Sequence, residues 1–239
     1  MNENLYFRQF LSGSDFAVGD AVALSMRNFS YAIGDCRSGE AVLVDPAYRP
    51  GELLTALSED GMTLVGVIAT HYHPDHIGGT FIGQRHIAGI KEIVEERAVP
   101  IHVHAEEVDL VIDGTGVGAN SIVAHDDGEV VEAGGIAITL IHTPGHTPGS
   151  QSLLVEGRLL SGDTLFVDGC GRTDFPGGDS IEMYRSLIER LGEVGDDVEL
   201  FPGHKYSPES SLDLGAVRAR NRVFAAENRE QWLAMFGSA

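Results

Sequence analysis

Residues 70–76, with the sequence THYHPDH, constrain this chain more than any other stretch. They place three imidazoles and one carboxylate within six residues, at His71, His73, His76 and Asp75. The apolar run at residues 64–69 precedes them and predicts a buried strand. A strand that opens into a ligand-rich loop can hold a metal ion at the edge of a rigid sheet. Because four ligands exceed what one ion usually takes from a single loop, the segment indicates two neighbouring ions.

Composition favours a globular protein and argues against several classes of partner. The 239 residues are 43% hydrophobic and 22% charged, and we expect one domain over residues 1–239 with a short helical tail from about residue 211. A net charge of −20 disfavours nucleic acids and anionic membranes, and no apolar run approaches the roughly 20 residues that span a bilayer. The start shows no secretory signal, so we expect a cytoplasmic protein with Cys36 and Cys170 as reduced thiols.

Strand and helix signals succeed one another along the chain. Strands are predicted at residues 29–33, 41–44, 64–69, 101–104, 136–141, 152–155, 159–161 and 198–201. Helices are predicted at residues 51–58, 87–97 and 179–191 and over most of the tail, 211–236. The helix at 179–191 has a capping-box pair, Asp179 and Glu182, and an apolar face of Ile181, Tyr184, Leu187, Ile188 and Leu191. Residues 113–135, rich in Gly and Asp, are expected to be loop with short strands. This pattern predicts sheets inside and helices outside.

Four predicted loops share one design, in which a metal-competent residue follows an apolar strand. Together they present seven candidate ligands: His71, His73, Asp75 and His76 in the first loop, then His146, Asp163 and His204 in the others. Five nitrogen and two oxygen donors suffice for two ions with three or four protein ligands each. Two ions that share Asp163 and a hydroxide would form a two-metal hydrolytic site.

Simpler interpretations exist for several of these residues. Asp163 fits turn chemistry, and His146 and His204 are interpreted as ligands only because the first loop is present. The other histidines lack the pattern and are expected to be surface or core residues: His86, His102, His104, His125 and His142. Cys170 has no neighbouring base, so we expect a small buried thiol.

The motif His-x-His-x-Asp-His, followed by an isolated His146, Gly162-Asp163 and Gly203-His204, resembles the metallo-β-lactamase superfamily. Residues 162–166 (GDTLF) and 169–175 (GCGRTDF) are similar to the glyoxalase II-like and persulfide dioxygenase branches. The resemblance covers residues 64–206. It implies an α/β fold, the four-layer αββα sandwich.

The resemblance also implies roles for individual residues. The first metal would be bound by His71, His73 and His146, the second by Asp75, His76 and His204, and Asp163 would bridge. Asp75 would in addition be catalytic, because it can orient the hydroxide through a hydrogen bond. Arg172 and Tyr206 match positions that contact the thiol, usually glutathione. Only 33 residues follow Tyr206, a departure from long-form glyoxalase II, so another low-molecular-weight thiol stays open. Arg172 also fits a salt bridge to Asp174 or Asp168, and Tyr206 fits simple packing.

The function these observations indicate is a metallo-hydrolase, a thioesterase resembling glyoxalase II, in which a metal-bridging hydroxide converts a hydroxyacyl-thiol thioester to acid and thiol. The small-molecule substrate would be a thioester or another thiol derivative. The alternative is a mononuclear iron persulfide dioxygenase, since His71 or His73 with His146 and Asp163 supplies two imidazoles and a carboxylate. A lactonase and a non-catalytic binding protein remain as further alternatives.

Zinc is the expected ion, with iron and manganese as alternatives. A homodimer stays open because apolar tail residues could cover the core or a partner: Trp232, Leu233, Met235 and Phe236.

Overall fold

The computed structural model describes residues 2–80 and 85–237, and in these ranges the longer strands form two six-stranded sheets. The first sheet contains, in spatial order, β1 (Leu5–Leu11), β2 (Phe29–Asp35), β3 (Glu40–Val44), β4 (Thr63–Ile68), β7 (Ile101–His104) and β8 (Ile122–His125). The second contains β14 (Leu212–Asp213), β13 (Glu199–Pro202), β12 (Arg158–Gly162), β11 (Gln151–Val155), β10 (Ile136–His142) and β9 (Val130–Ala133). A separate short ladder pairs β5 (Gly79–Thr80) with β6 (His86–Ile87).

Helices cover the outer face of each sheet. Five lie before β9 in the chain: α1 (Ala21–Met26), α2 (Pro50–Glu59), α3 (Pro74–Ile77), α4 (Ile90–Glu96) and α5 (Val108–Thr115). Three follow β12: α6 (Ser180–Arg185), α7 (Leu214–Arg220) and α8 (Arg229–Phe236). One apolar core joins α1, α2, α4 and α5 to the first sheet, a second fills the space between the sheets, and a third joins α6, α7 and α8 to the second sheet. The predicted four-layer αββα sandwich is therefore confirmed.

Strand direction brings the ligand loops together. β3, β4, β7 and β8 are parallel neighbours in the first sheet, and β12 and β13 are parallel in the second. Parallel neighbours end at the same edge of a sheet, which is where ligands gather in α/β folds. The loops after β4, β12 and β13 leave from these ends, and the loop after β10 carries His146.

The structure corrects two of the predicted elements here and confirms one predicted helix cap. Residues 113–135 are not loop and short strands alone, because α5 extends to Thr115. The helix expected from residue 87 begins at Ile90, since Ile87 pairs with Gly79 in β6. Asp179 does cap α6, accepting from the backbone of Ile181 and Glu182.

The apolar face predicted for residues 179–191 was partly wrong. The α-helix ends at Arg185 and continues as a π-helical turn over Ser186–Arg190. Ile181 is 42% exposed, and Met183 is buried in its place. The tail contains α7, α8 and the short strand β14, and Trp232 of α8 is fully buried against the second sheet. In the described parts of the chain no helix has the length and apolarity to cross a membrane.

Candidate metal centre

The first group of candidate ligands contains His71, His73 and His146. His73 Nδ1 lies 3.1 Å from His71 Nε2 and 2.9 Å from His146 Nε2. The three ligand atoms lie within 4.8 Å of one another. Burial and the neighbouring imidazoles lower the pKa of His71 well below its ordinary value and that of His73 to about 4. Neutral rings keep a lone pair on nitrogen, which is the form that binds a metal ion.

The second group contains Asp75, His76 and His204. The first two lie in α3, a single helical turn in the segment after β4, and His204 follows β13. His76 Nε2 lies 3.2 Å from His204 Nε2, and Asp75 Oδ2 lies 3.5 Å from His204 Nε2. All three side chains are buried. Burial disfavours a charged His76 ring, but the carboxylates of Asp163 and Asp75 raise the pKa of His76 well above its usual range.

Asp163 lies between the two groups. Its Oδ2 is 3.3 Å from His204 Nε2 and 3.6 Å from His146 Nε2, while its Oδ1 is 3.4 Å from His76 Nε2. Oδ1 is buried and accepts no hydrogen bond from the described residues. A buried carboxylate oxygen without a partner is costly, so this atom fits a site built around cations. Burial would raise the pKa of Asp163, but His204 and His76 hold it well below its ordinary value.

A glycine makes room for that carboxylate. A Cβ on Gly203 would lie 2.4 Å from Asp163 Oδ1 and 2.9 Å from the backbone of Gly162. Both contacts are shorter than van der Waals distance. Only glycine at this position therefore allows β13 to pass beside the ligand.

Hydrogen bonds orient four of the five imidazoles. In each ring Nδ1 contacts an oxygen: His204 with Met26 O at 2.8 Å, His146 with Arg172 O at 2.7 Å, His76 with Asp45 Oδ2 at 2.9 Å and His71 with Thr70 Oγ1 at 3.0 Å. The first three are acceptors only, and the Thr70 hydroxyl donates to Asp45, so it can accept from His71. In the neutral form of each ring the proton then belongs on Nδ1, which leaves the Nε2 lone pair facing the centre.

Sequence reasoning missed two residues that support these ligands. Asp45 ends β3 and accepts hydrogen bonds from Thr70 N at 2.7 Å and Thr70 Oγ1 at 2.6 Å, besides contacting His76. Asn28 donates to Asp75 Oδ2 at 3.0 Å and accepts from the Tyr48 hydroxyl at 2.7 Å. Asp45 carried the signal used for the other loops, a metal-competent residue at a strand end. Asn28 carried none.

A third missed residue, Glu107, joins the two loops that supply the first group. Its Oε2 accepts from Tyr72 N at 2.7 Å. Its Oε1 accepts from Thr147 Oγ1 at 2.7 Å and from Gly149 N at 2.9 Å. The side chain is 1% exposed, and burial raises its pKa despite these three hydrogen bonds. Glu107 thus fixes the loop after β4 against the loop after β10.

A cavity of about 600 Å³ opens above the ligands. His73, Asp75, His146, Asp163 and His204 face it, and its walls include Met26, Phe166, Phe175, Pro176 and Tyr206. The Tyr206 ring stacks on His204 with centroids 4.6 Å apart and 9° between planes. Cys170 also lines the cavity, and burial raises its pKa to about 12, so it is a neutral thiol. Cys36 and Cys170 are both free.

Arg172 lines the cavity too, but its guanidinium turns aside. Nε and Nη2 donate to the two oxygens of Asp174 at 2.8 and 2.6 Å. Of the two partners that the sequence left open, the structure selects Asp174. The backbone oxygen of Arg172, by contrast, holds His146.

The remaining histidines lie outside the two groups and the bridge, as expected. His102 Nδ1 is 2.8 Å from His125 Nε2, and the rings of His104 and His142 stack with centroids 3.7 Å apart. His86 contacts Glu92 on the surface. None of them belongs to the groups of three donors found among the described residues.

The model of the metallo-β-lactamase superfamily matches residues 27–208, a span that includes all seven candidate ligands. This chain belongs to the metallo-β-lactamase superfamily. The resemblance inferred from the His-x-His-x-Asp-His motif is thereby confirmed, as is the fold it implied.

Relatives in the superfamily carry different activities in their names. A hydroxyacylglutathione hydrolase of Rhodopseudomonas palustris is 34% identical over 85% of this chain and 72% of its own length. The human mitochondrial persulfide dioxygenase ETHE1 is 30% identical over 74% of this chain and 64% of its own length. The crystal structure of ETHE1 from Myxococcus xanthus superposes with a TM-score of 0.77 at 27% identity, covering 97% of this chain and 89% of that one. The relatives thus include both a hydrolase and a dioxygenase.

Proposed function

We propose that this protein is a two-metal hydrolase that cleaves thioesters. The observation that carries the proposal is the position of Asp163, whose carboxylate lies between a three-histidine group and an Asp-His-His group. A catalytic zinc takes three protein ligands and leaves one position open, and each group offers three. A single ion would leave one group of buried donors without a partner.

In this proposal His71, His73 and His146 hold one ion, Asp75, His76 and His204 hold the other, and Asp163 contacts both. Two divalent ions there would supply a water of pKa about 7 and a Lewis acid for a carbonyl oxygen. Asp75 faces the cavity. Its carboxylate can accept a hydrogen bond from the attacking water and so orient that water toward the substrate. Because a thiolate is a good leaving group, no further general acid is needed. Five imidazoles and two carboxylates suit zinc, and they also suit iron or manganese.

The relatives support hydrolysis of a thioester such as a hydroxyacyl-thiol. The hydroxyacylglutathione hydrolase shares 34% identity and covers 85% of this chain. Tyr206 and Arg172 stand at the cavity wall, where they would contact the substrate. The protein would act on a small molecule in the cytoplasm as a single domain.

A second candidate is an iron-dependent persulfide dioxygenase. The observation that favours it is the ETHE1 structure, which covers 97% of this chain. In this case one ion would sit at the first group, and the second group would hold none. A lactonase would use the same hydrolytic centre, whereas a non-catalytic binding protein would bind without turnover.

Metal content and activity together test the proposal. Protein purified without added metal is analysed for metals, then assayed for thioester hydrolysis after loading with zinc and for oxygen uptake with a persulfide. We expect two ions per chain and hydrolysis. One iron per chain with oxygen uptake would instead establish the dioxygenase.

Asp163→Asn tests the bridge. We expect loss of an ion and at least the roughly 10–100-fold loss of activity that follows removal of an outer-sphere partner. Asp196→Asn is the control, since Asp196 is an exposed carboxylate that pairs with Arg218 away from the cavity. Equal activity and metal content in Asp163→Asn and Asp196→Asn would overturn the proposal.

A further inference from the structure

In the described part of the chain, no lysine or arginine without a carboxylate partner lines the cavity. Among its described lining residues Arg172 is the one lysine or arginine. Two of its guanidinium nitrogens donate to the Asp174 carboxylate, Nε to Oδ1 at 2.8 Å and Nη2 to Oδ2 at 2.6 Å. This bidentate pair balances the charge of Arg172 with that of Asp174, and both side chains stay exposed to solvent, at 65% and 47%. The pair also lies on the Phe175 ring, with Arg172 Cζ 4.4 Å from its centroid.

Apart from the candidate ligands and Arg172, the charged residue in the described lining is acidic. Asp168 lines the cavity, where it accepts from the Ser207 hydroxyl at 2.7 Å and lies 3.4 Å from Arg220 Nε. Together with the Arg172–Asp174 pair, this gives the mouth no excess positive charge, in a chain of net charge −20. Any positive potential is confined to the ligand floor. An anionic group held near the mouth would therefore lose hydration and gain only a guanidinium whose charge Asp174 already balances.

The walls instead offer aromatic surface. Phe175 stands over the first ligand group, 5.8 Å from the His73 ring. Tyr206 and Phe166 stand together over the second, with ring centroids 5.1 Å apart. A molecule that reaches the floor passes between these rings, and such surfaces favour uncharged groups.

We infer that the thiol half of the substrate is uncharged. This inference rests on the proposed thioesterase function and narrows it, because it places glutathione, an anionic thiol, among the poor substrates. Selectivity then comes from the Arg172–Asp174 pair, which removes the cation that an anionic thiol would use.

The test compares one acyl group on three thiols. Lactoyl thioesters of N-acetylcysteamine, N-acetylcysteine and glutathione are assayed with the metal-loaded protein. The first two differ by a single carboxylate. We expect kcat/KM for the N-acetylcysteamine ester to exceed that for the N-acetylcysteine ester by roughly two- to fivefold, the size of an exposed charge interaction. We expect the glutathione ester to be no better than the N-acetylcysteine ester.

Asp174→Asn releases Arg172 and provides the second measurement. We expect the ratio of kcat/KM between the neutral and the anionic ester to fall by roughly two- to fivefold, mainly through KM of the anionic ester. Asp196→Asn removes the carboxylate partner of Arg218, which does not line the cavity, and should leave the ratio unchanged.

Two results would overturn the inference on its own: preference of the parent protein for the glutathione ester, or an unchanged ratio in Asp174→Asn. Absence of cleavage of all three esters would overturn the proposed function and, with it, the inference.

Discussion

Replacing Glu107 should weaken the first ligand group without touching a ligand. In Glu107→Ala three donors lose their acceptor: Tyr72 N, Thr147 Oγ1 and Gly149 N. Hydrogen bonds to a charged group contribute about 1.5–3 kcal/mol each, and removing one side of a buried charged network costs about 3–5 kcal/mol in all. For a chain of this size that loss lowers Tm by roughly 6–20 °C.

The effect should extend to metal binding, because Tyr72 lies between His71 and His73, and Thr147 follows His146. Loosening both loops should lower the affinity of the first ligand group for its metal ion by roughly 10–100-fold, the usual effect of losing an outer-sphere partner. Glu107→Gln should fall between the parent and Glu107→Ala. One amide oxygen can replace Oε1, but the amide nitrogen then faces the Tyr72 N–H.

The assay is a competition titration of metal-free protein against a chromogenic chelator, with thermal unfolding of the same samples. Glu106→Ala is the matched control, since Glu106 is the exposed neighbour of Glu107. If Glu107→Ala bound both ions with the affinity of the parent, the argument that this carboxylate positions the two loops would be wrong, whatever its effect on Tm.

Two further predictions follow from the buried donors and the thiols. Chelation should destabilise the protein, because metal at about 1,000 times its Kd adds about 4 kcal/mol to the free energy of unfolding. The Tm values measured with EDTA and with zinc should therefore differ by roughly 8–16 °C. Identical Tm values would contradict this prediction. Iodoacetamide at pH 8 should alkylate exposed Cys36 and spare Cys170, because a pKa of about 12 keeps the Cys170 thiol protonated. Peptide mass spectrometry before and after denaturation measures the alkylation of each cysteine. Alkylation of native Cys170 at the rate of Cys36 would contradict the prediction.

Where the information is local, the sequence indicated the side chains that the structure brings together. Residues 70–76 follow a strand, and every donor in them belongs to one loop, so spacing alone indicates a site. The same holds for most strands, whose apolar runs reflect burial between two sheets. It failed where one helix face had to be chosen, because Ile181 in the first turn of α6 is exposed and Met183 is buried.

The sequence by itself determined the superfamily, the layered fold and the seven donors, because each is written in short stretches of chain. The resemblance predicted a bridging Asp163, but only the tertiary structure placed its carboxylate 3.3 Å from His204 and 3.6 Å from His146. Only the tertiary structure showed that Asp45 and Glu107 support the ligands and that Arg172 pairs with Asp174. These depend on contacts between residues far apart in sequence or on one rotamer among several. Such contacts are set by how the two sheets pack, and no local pattern of residues specifies that.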